Sequence, residues 1–287
     1  MDPRSAVQGT EDYRELCMRR YWCELWNRDE KRANDSIHHL VDEGCTASLL
    51  YFIKCDMTSF ASVRAAAAEL KAKEEHIDIL VNNAGIVFYP KFELTEDGHE
   101  VTWQTNHLGP FLLTELLLPL VERAPQGRIV NVSSLGHKFA TAFDYSQLDK
   151  ETSFGVIKPY NQSKLANIMH AKALTRRVRE KNPETRLTIN AVHPGSVNTN
   201  IAHHTFVYDT PLWYVSTPFR WFFFKSDKDG AQTVLYAALS SELVGVSGQY
   251  FSDCSRAKET DIANDASECW KLYEYSQDVT GTRISHQ

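Results

Sequence analysis

The chain has 287 residues, 43% of them hydrophobic and 24% charged, and a net charge of -6, enough length for one large α/β domain with a sizeable core. The negative charge excludes a general attraction to nucleic acid, and the basic run Arg14, Arg19, Arg20, Lys31, Arg32 is broken by Glu15, Glu24, Asp29 and Glu30, as on a solvated face. Six cysteines without a CxxC pair exclude a zinc ribbon or disulfide framework and fit a reducing compartment, while no run of about 20 apolar residues offers a membrane span.

In chain order, residues 13–26 are aromatic and fit a helix or a strand. Residues 48–55 (SLLYFIKC) are short and rich in β-formers, and a helical pattern follows over 62–73. Residues 77–81 (IDILV) predict the next strand and 106–123 the next helix. The same alternation continues with 128–132 (RIVNV), the helix 160–181, 187–192 (LTINAV) and 249–251 (QYF). Strand and helix at this cadence predict one parallel sheet with helices on both faces. Residues 212–224 are the most membrane-like stretch but carry Arg220, which suits a substrate lid or a surface-dipping segment. The sequons at Asn34, Asn131 and Asn161 are no sign of secretion, since the latter two fall within a predicted strand and helix.

In open parallel sheets ligands sit beyond the carboxyl ends of the strands. Polar and small residues gather there: Asp56, then Asn82 and Asn83-Ala84-Gly85, then Ser133-Ser134, then His193-Pro194-Gly195. Tyr160 and Lys164, four residues apart at the start of a helix, share one face. A free phenol is a poor base at neutral pH, and a nearby ammonium lowers its pKa. Taken singly, each residue has a plainer reading. Ser134 and Asp56 could form turns, Asn106 could cap the helix it opens, Pro194-Gly195 could be a turn, and Arg28 could be a surface arginine. The pairs His38-His39 and His203-His204 lack a third ligand at useful spacing, and no metal is expected.

In this order, Asn82 to Gly85, Asn106, Ser134, Tyr160 with Lys164, and Pro194-Gly195 with Thr199 resemble the short-chain dehydrogenase/reductase family. Residues 27–33, 105–114, 248–254 and 270–273 are similar to its retinol dehydrogenase group. The resemblance implies a single Rossmann-type doubly wound α/β domain over 27–287, with 1–26 a divergent N-terminal segment. It implies an NAD(P)-dependent oxidoreductase interconverting an alcohol and a carbonyl. Tyr160 would transfer the proton, Lys164 lower its pKa and bind the nicotinamide ribose, Ser134 orient the substrate oxygen, and Asn106 hold a relay water. Arg28, Asp56, Asn83, Ala84, Gly85, Tyr160, Lys164, Pro194, Gly195 and Thr199 would hold the cofactor, with Arg28 favouring NADP over NAD.

The family opens with a strand and the turn Thr-Gly-x-x-x-Gly-x-Gly, whereas residues 1–26 contain one glycine, Gly9. Residues 20–26 are therefore read as the second strand, and the first strand and glycine-rich turn as absent. The aromatic stretch 205–224 suits an apolar substrate such as a retinoid, steroid or lipid aldehyde, or equally a core or oligomer interface. The expected place is the cytoplasm, with contact to the endoplasmic reticulum surface and a homo-oligomer left open. The competing function is a catalytically silent dinucleotide-fold protein acting as a binding module.

Overall fold

The computed structural model of the chain describes residues 4–7, 22–27, 30–140, 142–195 and 227–283. In chain order the main elements are β1 (Arg4–Val7), β2 (Trp22–Asn27), α1 (Glu30–Asp42), β3 (Leu50–Lys54), α2 (Phe60–Lys73) and β4 (Ile79–Asn82). They continue with α3 (Val101–Trp103), a π-helical turn (Gln104–Leu108), α4 (Gly109–Arg123), β5 (Arg128–Val132), α5 (Lys158–Lys181) and β6 (Thr188–His193). The last are α6 (Asp227–Leu239), β7 (Tyr250–Ser252), β8 (Ser255–Arg256), α7 (Asp261–Asn264) and α8 (Ala266–Thr280).

The strands form one eight-stranded sheet in the order β3-β2-β1-β4-β5-β6-β7-β8. Every neighbouring pair is parallel except β7 with β8. The predicted second strand is present, but the expectation of a missing first strand is corrected. Arg4–Val7 lies between β2 and β4, pairing Arg4 with Trp22 and Ser5 with Ile79. Four residues with little β-forming character are ordered by partners on both sides, a long-range effect that local propensity does not carry.

Alternation builds both faces. Leu80, Ile129, Ile189 and Ala191 point into one apolar layer with α2, α4, α5 and α8. Ile79, Val81, Val130, Val132 and Val192 point into the other, with α1 and α6. Strands covered on both sides carry near-continuous apolar runs, and β4 and β5 are buried throughout. The strand order reverses between β1 and β4, so the crevice that such a sheet offers a ligand lies at the carboxyl ends of these strands. Among the described residues no helix is long and apolar enough to cross a membrane. Arg28, Thr199, the pair His203-His204 and the aromatic stretch 205–224 lie outside the described residues.

Candidate active site

Ser134 leaves the end of β5 and caps the short 3-10 turn Leu135–Phe139, accepting a hydrogen bond from Gly136 N at 3.2 Å. Tyr160 lies in the first turn of α5, half-buried, with the Ser134 side chain near enough to its phenol to lower the phenol pKa. The two meet because the turn presses on the helix. A Cβ on Gly136 would stand 2.7 Å from Asn161 Oδ1 and 3.0 Å from Tyr160 Cε1, so any side chain there would force the two to give way.

Lys164 is 5% exposed. Its Nζ donates to the Val132 carbonyl at 3.1 Å and stands 5.6 Å from the centre of the Tyr160 ring. Burial lowers its pKa to about 8. Burial also raises the Tyr160 pKa, and the Ser134 hydrogen bond offsets part of that. This corrects the expectation of a phenol lowered by Lys164. Desolvation of the ring dominates, and the ammonium is directed at a backbone carbonyl instead.

Asn106 does not open its helix. The N-cap is Glu100, which accepts from Trp103 N at 2.7 Å, so the capping reading of Asn106 is corrected too. Asn106 sits within the π-helical turn, where one extra residue per turn redirects a side chain. That side chain is fully buried and clamps the backbone of Ile86, accepting from its N at 2.8 Å and donating to its O at 2.9 Å. The clamp holds the strand-end loop Asn83-Ala84-Gly85 against the site. A Cβ on Gly85 would lie 3.2 Å from Asn106 Oδ1 and 3.4 Å from Lys164 Nζ.

Asp56, at the end of β3, behaves as the plain turn former: its Oδ1 accepts from Thr58 N at 2.9 Å and from Thr58 Oγ1 at 2.7 Å. Pro194 and Gly195 leave the end of β6 half-buried, with Gly195 at φ 95°. The structure therefore brings Gly85, Asn106, Ser134, Tyr160 and Lys164 together, and sets Asp56, Pro194 and Gly195 on the same sheet edge at other strand ends.

Several neighbours escaped the sequence reading. Asn167 Nδ2 donates to the carbonyls of Asn106 and Val132, each at 3.1 Å. Ser163 Oγ takes a hydrogen bond from Asn106 Nδ2 at 3.1 Å and donates to the Tyr160 carbonyl at 2.7 Å. Ser133 Oγ donates to the Lys164 carbonyl at 2.6 Å. Asn167 was detectable in principle, since it follows Lys164 by three residues and so shares its face. Gly136 carries no such signal.

The family model for short chain dehydrogenases matches residues 14–207. The chain belongs to the short-chain dehydrogenase family. It is similar to retinol dehydrogenase 14 of Mus musculus, at 38% identity over 265 residues, covering 88% of this chain and 77% of that protein. It is also similar to the chloroplastic short-chain dehydrogenase TIC 32 B of Brassica napus, at 37% identity over 277 residues, covering 93% and 83%. Among solved structures, an uncharacterized protein from Mycobacterium paratuberculosis aligns with a TM-score of 0.76 and 25% identity, covering 98% of this chain and 94% of that one. Membership makes this dehydrogenase fold that of an oxidoreductase of the retinol dehydrogenase-like kind, as the sequence resemblance implied.

Proposed function

We propose that the chain interconverts an apolar alcohol and its carbonyl, using NADP in preference to NAD, with Tyr160, Ser134, Lys164 and Asn106 as its working residues. The observation that carries this reading is the Ser134 side chain set beside the Tyr160 phenol, near enough to lower its pKa, with the Lys164 ammonium buried behind the ring. A phenol whose pKa is raised by burial stays protonated at neutral pH. It is thus poised to give its proton to a carbonyl oxygen as that oxygen gains charge. Ser134 supplies the second donor to the same oxygen. Asn106 keeps the loop at Gly85 in register, and its carbonyl, held on one side by Asn167, has a second lone pair for a relay water.

The residues present fit a nicotinamide dinucleotide at its nicotinamide end. One hydrogen bond of the Lys164 ammonium, to the Val132 carbonyl, is fixed, and an ammonium has three donors, so two remain for ribose hydroxyls. Ala84, Gly85, Tyr160, Pro194, Gly195 and Thr199 would border that end. Asp56, Asn83 and Arg28 would meet the adenosine end, Arg28 as the partner of a 2'-phosphate. When bound, the nucleotide supplies the hydride that Tyr160 complements with a proton.

An apolar substrate is supported by exposed apolar side chains on the elements that carry the site: Leu135 and Phe139 beside Ser134, Val156 and Ile157 before Tyr160, and Phe88 beyond Gly85. We place the domain at 27–287, with 1–26 a divergent segment contributing β1 and most of β2 to its sheet. Its proposed setting is the cytoplasm at the endoplasmic reticulum surface, as a homo-oligomer.

One observation favours a second reading, a silent dinucleotide-fold binding module: the connection from β1 to β2 holds Gly9 as its single glycine, where the family turns its backbone toward a pyrophosphate. Titration of NADPH, NADP+ and NADH, followed by nucleotide fluorescence, separates the two. The enzyme reading expects NADPH to bind more tightly than NADH. It also expects Tyr160→Phe to bind NADPH as the native chain does while retinaldehyde turnover falls roughly 10²- to 10⁴-fold. No binding of any of the three nucleotides would favour the second reading.

A further inference from the structure

The 3-10 turn after β5 carries Ser134 at its start and His137 three residues on. The His137 side chain is fully buried. The Ser134 carbonyl meets both nitrogens that His137 can offer it: the backbone N at 3.1 Å and the ring Nδ1 at 2.6 Å. A carbonyl only accepts, so Nδ1 carries the proton. Burial lowers the pKa of His137, which leaves the ring neutral and Nε2 bare. Nε2 has no hydrogen-bond partner among the described residues. The ring packs edge-on against Tyr250 at 4.9 Å, with an interplanar angle of 67°. Two separable things thus happen at one side chain: a donor grips the turn, and a ring fills the space beside β7.

We propose that His137 is a positioning residue for the Ser134–Tyr160 pair, its Nδ1–H fixing the Ser134 carbonyl so that the hydroxyl stays beside the phenol. The inference rests on the dehydrogenase reading of that pair. The rest of the turn's support is its packing on α5 through Gly136, since Leu135, Lys138 and Phe139 are exposed. The turn must also hold Gly136 within the narrow gap over the Tyr160 ring. A displacement of the turn by about 1 Å would misplace the serine hydroxyl relative to the phenol, an error that costs catalysis on the order of 10²-fold.

Three substitutions separate the donor from the ring. In His137→Asn the amide nitrogen can stand where Nδ1 stood, but the ring is lost. In His137→Gln the amide reaches the place of Nε2 instead. In His137→Phe the ring remains and the donor is gone. The proposal expects kcat for retinaldehyde with NADPH to fall roughly 10- to 100-fold in His137→Phe and His137→Gln, with KM for NADPH unchanged. It expects His137→Asn to restore most of kcat despite the lower melting temperature of a chain that has lost its ring packing. If kcat follows melting temperature across the series, with His137→Phe the most active, the role is only structural and the proposal fails. If His137→Phe does not fold, the Asn and Gln pair alone decides.

The ¹³Cζ resonance of Tyr160, assigned by its loss in Tyr160→Phe, reads the same geometry without turnover. It should shift in His137→Gln and His137→Phe and hold its native position in His137→Asn. A native position in all three overturns the proposal. A native chain without turnover whose resonance shifts as expected would strike the oxidoreductase reading and leave the positioning role standing.

Discussion

Burial holds Lys164 at a pKa of about 8, against 10.5 for the free side chain, because among the described residues no carboxylate is paired with it and one backbone carbonyl answers its charge. The folded chain therefore binds this proton less readily than the unfolded chain does. Below pH 8 the full penalty applies; it shrinks as pH rises from 8 toward 10.5, where the unfolded lysine also loses its proton. The penalty is at most on the order of 3 kcal/mol, set against about 1 kcal/mol for the bond to Val132. Lys164→Met should accordingly be more stable than the native chain at pH 7, by about 1–2 kcal/mol in urea unfolding, with the gap closing by pH 10. A less stable variant at pH 7, or a gap that widens with pH, would contradict this account of the lysine. Keeping so unfavourable a charge makes sense where a ligand later shares it. The sequence showed that Tyr160 and Lys164 share a face, because spacing on a helix is a local property. It could not show which way the phenol pKa moves, since desolvation depends on what packs over the ring.

Among the elements, α5 and α8 are joined by buried polar contacts. Arg177 on α5 donates to Glu115 Oε2 on α4 at 2.6 Å and also to the Tyr273 hydroxyl on α8. That hydroxyl in turn donates to Glu115 Oε1 at 2.6 Å. The Glu115 side chain is 6% exposed and that of Arg177 29%. Glu115→Ala would leave a half-buried guanidinium without its carboxylate and a buried phenol without its acceptor. The expected loss is roughly 2–3 kcal/mol, toward the lower range for broken buried pairs because Arg177 keeps some water. Turnover well below the melting temperature should stay native, since the triad touches none of Ser134, Tyr160 and Lys164. Unfolding free energy within 0.5 kcal/mol of native, on the order of a surface change, would show that the triad does not brace α8. Elements with strong local signals were legible: residues 128–132 coincide with β5, and 62–73 and 160–181 fall within α2 and α5. The π-helical turn was not. Its extra residue leaves apolar spacing intact over 106–123, so Asn106 reads as a helix start while its side chain closes on Ile86.

For the whole molecule, the order β3-β2-β1-β4-β5-β6-β7 sets the reversal between β1 and β4, and with it the edge where Gly85, Ser134, Tyr160 and Gly195 all emerge. The motif order was enough to place that edge from sequence. The first strand was not legible, because Arg4–Val7 becomes a strand only between two partners brought from residues 22 and 79. The central claim is that the Tyr160 phenol delivers a proton to an oxygen whose carbon receives hydride at this edge. A single-turnover reaction with NADPH deuterated on the transferring face of C4 and retinaldehyde tests it most directly. The account predicts deuterium in the alcohol product of the native chain, and in Tyr160→Phe bound NADPH with no labelled alcohol on the same timescale. Labelled alcohol formed equally fast by Tyr160→Phe, or none formed by a native chain saturated with nucleotide, would contradict it.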